Sequence, residues 1–206
     1  LALAIWIAHL YTARHRQLTS ARNILLPMIL VSGAVALLIV GQKDLGTALI
    51  IVAMIGGMLW VGGLGARALL MFGSISVVVL AAFVASAQHR VERLLTFTNP
   101  TADPESSGYQ AIKALMGFAS GGFWGLGLGS SRQKWGALPE AHTDFILAVI
   151  GEELGLAGSL VVVGLFAALA FIGFRIAQRS SDRFARYLAA GITIWITSQA
   201  AVNIAM

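Results

Sequence analysis

Apolar residues fill the chain in long runs broken by short polar interruptions, at roughly residues 24 to 40, 46 to 64, 67 to 86, 145 to 173 and 185 to 206. About 20 mostly apolar residues make one membrane-crossing helix, so the pattern predicts about five full spans. A further stretch, residues 1 to 10, is half a span. It begins on Leu1 and carries no charged n-region or cleavage site, and so reads as the tail of a spanning helix rather than a signal peptide. Barrel strands alternate over much shorter segments, and backbone groups in lipid must be satisfied within the segment. The expected fold class is therefore all-α, a polytopic transmembrane helical bundle of about five full spans plus one partial. The last run stops at Met206, and residues 1–206 are expected to be a single membrane domain, an internal piece of a longer polytopic protein truncated at both ends.

Composition agrees: 58% hydrophobic residues, 11% charged and a mean hydropathy of +0.83 exclude a soluble domain of this length. The net charge of +5 matters less than its distribution, which gives no reason to expect nucleic acid. Arg14, Arg16 and Arg22 flank one connection, Arg67 sits in a second, and Arg175, Arg179, Arg183 and Arg186 crowd a third. Alternating spans put all three on one side, which the positive-inside rule makes cytoplasmic. The opposite side receives the turn around Lys43 and Asp44 and a long segment, residues 88–143, expected to be extracytoplasmic. The chain has no cysteine, so thiol nucleophiles, disulfides and thiolate metal sites are excluded.

Within the long segment, Ser106 and Ser107 can cap a helix on which Tyr109, Ile112, Leu115, Met116 and Ala119 recur at helical spacing before Gly121 and Gly122 end it. Such a helix either lies on the bilayer surface or packs on the bundle as a lid. Gly125, Gly127 and Gly129 follow. No strand precedes them, so a dinucleotide loop is rejected in favour of tight turns or close helix contact. Trp124 and Trp135 suit interfacial anchors or substrate contacts equally.

Asp144 stands where this polar segment re-enters an apolar helix, in Pro139-Glu140-Ala141-His142-Thr143-Asp144-Phe145. A carboxylate at such a boundary is costly and points to function. Placed in the first turn, it shares a face with Ala148, Gly151, Gly155 and Ser159, small residues that favour close packing toward a bundle interior. Spacing leaves two readings of equal weight: a cap on the helix dipole with Thr143, or a catalytic group. Glu152 and Glu153, two turns further in, would face a polar cavity or pair with a basic residue to lock helices together. Asp44 is a cap or a further cavity acid. Arg90, Arg93, Lys113, Arg132 and Lys134 give the outer side a cationic character suited to a diphosphate or lipid head group, or to a solvated loop face. His142 suits a hydrogen-bonding loop residue, and His9, His15 and His89 supply no metal-ligand spacing.

The segments GQKDLGTALI (41–50), ADPESSGYQ (102–110), GFASGGFWGLGLGSSRQKWGALPEAHTDFILAVIGEELGLAG (117–158) and GITIWITSQAAVNIAM (191–206) resemble the SEDS family of polytopic membrane proteins, the FtsW, RodA and SpoVE proteins, with SRQKW and the arginine-rich turn more like the FtsW branch. The resemblance implies that the chain corresponds to the family's fourth to ninth spanning helices, without the helices and motifs on either side. It also implies peptidoglycan glycosyltransfer during cell division, polymerising lipid II outside the cytoplasmic (inner) membrane. Asp144 matches the family's essential aspartate, and would accept a proton from the acceptor sugar's 4-hydroxyl as it attacks the undecaprenyl-diphosphate-linked donor. The leaving diphosphate needs cations rather than a second acid. Arg90, Arg132, Lys134 or a divalent cation, Mg or Mn, would serve, with His142, Arg93 and Lys113 as further substrate contacts. The implied partners are lipid II, undecaprenyl-diphosphate-linked glycan, a class B penicillin-binding protein, divisome proteins and membrane lipid. Lys43 departs from the family, which usually has Pro there.

Two other functions compete. A flippase for the same lipid precursor would also use a polytopic bundle with buried acids, though neither inverted repeats nor paired broken helices are visible in the sequence. A non-enzymatic scaffold that recruits a transpeptidase is the third.

Overall fold

A computed structural model describes residues 1–13, 31, 35, 45–85, 91, 108–133 and 143–205. Among these, every regular element is a helix: α1 Ala2–Ala13, α2 Leu45–Val61, α3 Ala66–Ala85, α4 Tyr109–Gly121, α5 Ile146–Arg179 and α6 Arg183–Ala205. The protein is all-helical. Helices α3, α5 and α6, with 20, 34 and 23 residues, are long and apolar enough to cross a membrane. The run at 24 to 40 lies outside the described residues.

The run at 46 to 64 is cut short by glycine chemistry. Gly63 takes φ +79, the left-handed conformation that L side chains avoid. Its N–H donates to Trp60 O at 3.0 Å and that of Leu64 to Leu59 O at 3.2 Å. This pair of bonds is a Schellman stop, which leaves α2 at 17 residues.

The chain forms two compact units, residues 1–81 with 167–202, and residues 82–166 with 203–206. In the first, Ala4, Ile7, Ala8 and Tyr11 of α1 pack with Met54, Ile55, Met58 and Leu59 of α2 and with Tyr187 and Ile194 of α6. Glycines set how closely these helices approach. A Cβ at Gly57 would stand 2.7 Å from Ile194 Cδ1, and one at Gly191 2.8 Å from Met58 Sδ. Tyr11 is fully buried with its ring centroid 5.2 Å from that of Tyr187, and its hydroxyl has no hydrogen-bond partner among the described residues. Outward-facing Leu70, Met71, Val77 and Val78 of α3 present the apolar surface expected of a lipid-facing helix.

The turn from α5 to α6 is short because Asp182 caps the second helix. Its Oδ2 accepts from Ala185 N at 2.9 Å, while Arg186 Nη2 donates to Ser180 O at 3.0 Å.

Candidate functional site

The second unit is built where α4 crosses the start of α5. Helix α4 begins at Gly108, whose backbone supplies the N-cap without a side-chain cap bond, and ends at Gly122 with φ +56. Ser106 and Ser107, expected as caps, lie outside the described residues. The buried positions of α4 are Ala114, Gly117 and Gly121. Leu115, Met116 and Ala119, three of the apolar positions expected at helical spacing, point outward. Close approach to a second helix selects the small residues, which leaves the large apolar ones outward, as suits a lipid-facing surface. A Cβ at Gly117 would lie 3.3 Å from Ala148 O, one at Gly121 would strike the Gly151 carbonyl, and one at Gly151 the Phe118 ring. The helix therefore packs on α5.

Helix α5 is not continuous. Gly155 adopts φ +68 and ψ −167 in its interior, a conformation open only to glycine. In an unbroken helix Leu156 N–H would donate to Glu152 O and Ala157 N–H to Glu153 O. Here the glycine loop is spliced between them. Leu126 N donates to Glu152 O at 2.9 Å and Gly127 N to Glu153 O at 3.0 Å, while Leu156 N donates to Gly122 O at 2.9 Å and Ala157 N to Phe123 O at 3.2 Å. Two helical bonds open and four loop-to-helix bonds form, so the break leaves none of these backbone groups unpaired. Gly125 and Gly127, at φ +81 and +102, let the loop backbone approach this closely. The expectation that these glycines serve turns and close helix contact agrees with their geometry.

Glu152, 1% exposed, locks the same loop through its side chain. Ser131 Oγ donates to Oε2 at 2.6 Å, Gln133 N to Oε2 at 3.3 Å and Arg132 N to Oε1 at 3.2 Å. Ser120 Oγ, which donates to Gly117 O at 2.9 Å, also stands 3.3 Å from Oε1. Glu153 Oε1 accepts from Ser131 N at 3.4 Å. The partners of Glu152 in this geometry are hydroxyls and backbone N–H groups. No guanidinium or ammonium among the described residues pairs with Glu152, the partner expected if it locks helices together; neutral donors clamp it instead. Ser120, Ser131 and the 131–133 backbone escaped the sequence reading. The signal for them was the serine pair Ser130-Ser131 directly after the glycine run, within reach of a buried acid.

Asp144 lies in the turn just before α5 and is exposed. The first helical carbonyl is that of Phe145, which accepts from Val149 N at 3.3 Å. Among the described residues Asp144 makes no hydrogen bond or ion pair, so no cap bond from its side chain holds the helix start. The predicted small face is buried at Ala148, Gly151, Gly155 and Ser159, with Glu152 beside it. The Arg132 side chain is exposed although its N–H is clamped, and Lys113 Nζ lies 5.4 Å from the Tyr109 ring centroid. Asp44, Arg90, Arg93, Lys134 and His142 lie outside the described residues. Among the described residues no group of three or more His, Asp or Glu side chains could hold a metal ion.

Residues 1–206 match the cell cycle protein family of FtsW, RodA and SpoVE. The chain belongs to this family. It is 45% identical over 204 residues to the probable peptidoglycan glycosyltransferase FtsW of Mycobacterium tuberculosis, covering 99% of this chain and 39% of that protein. Identity is 43% with the protein of the same name from Halothiobacillus neapolitanus and 42% with that from Methylococcus capsulatus, each over 98% of this chain and 50% and 52% of theirs. The chain thus spans about half the length, or less, of these relatives. As an FtsW/RodA/SpoVE family member it is a multi-pass membrane protein. The two motifs that carry the family resemblance meet at the start of α5, one bringing Asp144, the other Glu152, Glu153 and the helix-breaking Gly155.

Proposed function

We propose that the chain carries the catalytic aspartate of a peptidoglycan glycosyltransferase that polymerises lipid II during bacterial cell division. One observation carries the reading: Asp144 is exposed and unpartnered among the described residues, directly ahead of a helix whose first turns are held by the Glu152 clamp and the spliced loop. A general base has to be free to accept a proton and held still while it does so. The Asp144 carboxylate takes the proton of the acceptor's sugar 4-hydroxyl as that oxygen bonds to the donor's anomeric carbon. The bond from that carbon to the undecaprenyl diphosphate breaks, and the diphosphate leaves with the electron pair. Arg132 and Lys113, with Arg90, Arg93 and Lys134 or a divalent cation, offset its charge. The 88–143 segment works on the extracytoplasmic side, beside a class B transpeptidase partner.

The flippase reading draws on the broken helix, a hallmark of transporters whose freed backbone groups bind substrate. In this protein those groups are occupied by Gly122, Phe123, Leu126 and Gly127, so the break offers no ligand site of that kind. The deciding experiment is Asp144→Asn in a full-length background, assayed with labelled lipid II. With no cap bond to lose, stability should stay unchanged, while polymerisation falls by about 10² to 10⁴. Near wild-type polymerisation by the folded variant would remove Asp144 from the chemistry.

A further inference from the structure

A cavity lies in the other compact unit. The end of α2, the last turns of α5 and the first turns of α6 enclose a pocket of about 380 Å³ lined by Trp60, Val61, Phe174, Gln178, Arg186 and Ala190. None of these residues takes part in the site around Asp144.

Its chemistry is divided. Val61, Phe174 and Ala190 give an apolar wall, Trp60 is a 69% exposed indole at a helix end, and Arg186 and Gln178 are exposed polar side chains. A guanidinium has five N–H donors in a planar fork. One from Arg186 reaches Ser180 O, which fixes the side chain at the pocket and leaves other donors for an anion. Arg175, Arg179 and Arg183 are exposed at the adjoining ends of α5 and α6, and Arg67 is exposed in the first turn of α3. Among the described residues none of these five arginines forms an ion pair. Asp182, the acid nearest in sequence, uses Oδ2 to cap α6.

We propose that this pocket binds the phosphate-bearing headgroup of an anionic membrane lipid, with Arg186 on the phosphate and the lipid's glycerol and upper acyl region along Phe174, Val61 and Trp60. Three observations converge on a lipid rather than a free anion. The wall is apolar, two of the helices that form it, α5 and α6, are long and apolar enough to cross a membrane, and α5 exposes Ile172 and Ile176 beside its pocket end. Basic pockets between spanning helices recognise anionic lipid headgroups, and an indole at a helix end suits the headgroup level. The proposal is independent of the transferase reading.

The test is native mass spectrometry of the full-length protein with phosphatidylglycerol and with phosphatidylcholine of the same acyl chains. Wild type should retain phosphatidylglycerol preferentially. Arg186→Gln should weaken that retention roughly tenfold or more, and Arg186→Lys, which keeps charge but loses the fork, should restore only part of it. Gln178→Trp fills the pocket from an exposed position with every arginine kept, and should abolish the preference. Arg183→Gln, off the pocket wall, should leave it intact. The proposal is overturned if Gln178→Trp binds like wild type, if Arg183→Gln and Arg186→Gln lower retention equally, or if glycerol phosphate competes as well as the lipid does.

Discussion

Replacing Glu152 by Gln tests whether that acid is a structural clamp or a participant in chemistry. The carboxylate presents two acceptor oxygens, one to Arg132 N at 3.2 Å and one to Gln133 N at 3.3 Å, with the 2.6 Å Ser131 bond on the second. A carboxamide keeps one acceptor. Whichever way it is turned, its NH₂ faces a backbone N–H that cannot reverse its own polarity. One buried donor is then left unpaired, at about 1–3 kcal/mol, and the surviving bonds lose their charge assistance, about 1 kcal/mol each. Removing a buried charge offsets part of this where partners can rearrange, but backbone donors cannot. The expected net loss is about 3 kcal/mol, a fall of roughly 5–10 °C in the unfolding midpoint if the whole domain responds. The assay is thermal unfolding of the full-length protein in detergent, paired with amide exchange at Leu126, Gly127 and residues 131–133, which should speed up even if the loop loosens locally. Ser131→Ala, which removes one donor and leaves the carboxylate its backbone partners, should cost about 1 kcal/mol. An unchanged midpoint with unchanged exchange would refute the clamp. Lost polymerisation in a variant of unaltered stability would instead make Glu152 part of the reaction.

Other substitutions probe the remaining features. Gly155→Ala meets both a forbidden backbone conformation and collision with Phe123 O, and should cost more than about 3 kcal/mol and remove most folded protein from the membrane. Gly129→Ala, at φ +81 with open space around it, should cost only about 1–2 kcal/mol, and equal losses at the two sites would count against the splice. Tyr11→Phe deletes a buried hydroxyl without a partner among the described residues and should leave stability unchanged or raise it by about 1 kcal/mol, read as the unfolding midpoint. For topology, a cysteine at Ser107 should label in intact cells and one at Ser180 only after permeabilisation, and the reverse pattern would invert the orientation drawn from the arginines.

The helical character of the chain was legible because spans are set by length and apolarity, quantities a sequence displays directly. Helices α3, α5 and α6 fall where the hydropathy runs do. What escaped notice depends on close approach. The outward turn of Leu115 and Met116 follows from Gly117 and Gly121 winning the helix contact, and periodicity alone does not rank small residues above large ones. The break at Gly155 escaped for a similar reason: Gly151 and Gly155 read as a smooth packing face, and only the partner loop makes the second of them a discontinuity. Glu152 stands out in the sequence as an acid needing compensation, but two of its four partners are backbone N–H groups, which carry no residue-type signal.

Surface loops usually accept inserted or deleted residues, because lengthening an unpaired connection costs little. The glycine loop of this protein does not have that freedom. Gly122 and Phe123 are matched to Leu156 and Ala157, and Leu126 and Gly127 to Glu152 and Glu153, so the two residues between these pairs are a fixed count. One residue more or fewer there would shift half the pairings out of register. The outward side chains are under no such constraint, since Trp124 and Leu128 are both 80% exposed, whereas Gly125 has no room for a Cβ against the Glu153 carbonyl. Variation between relatives should therefore run through the identity of residues at these outward positions and stop at the length of the segment, the opposite of what an exposed loop ordinarily permits.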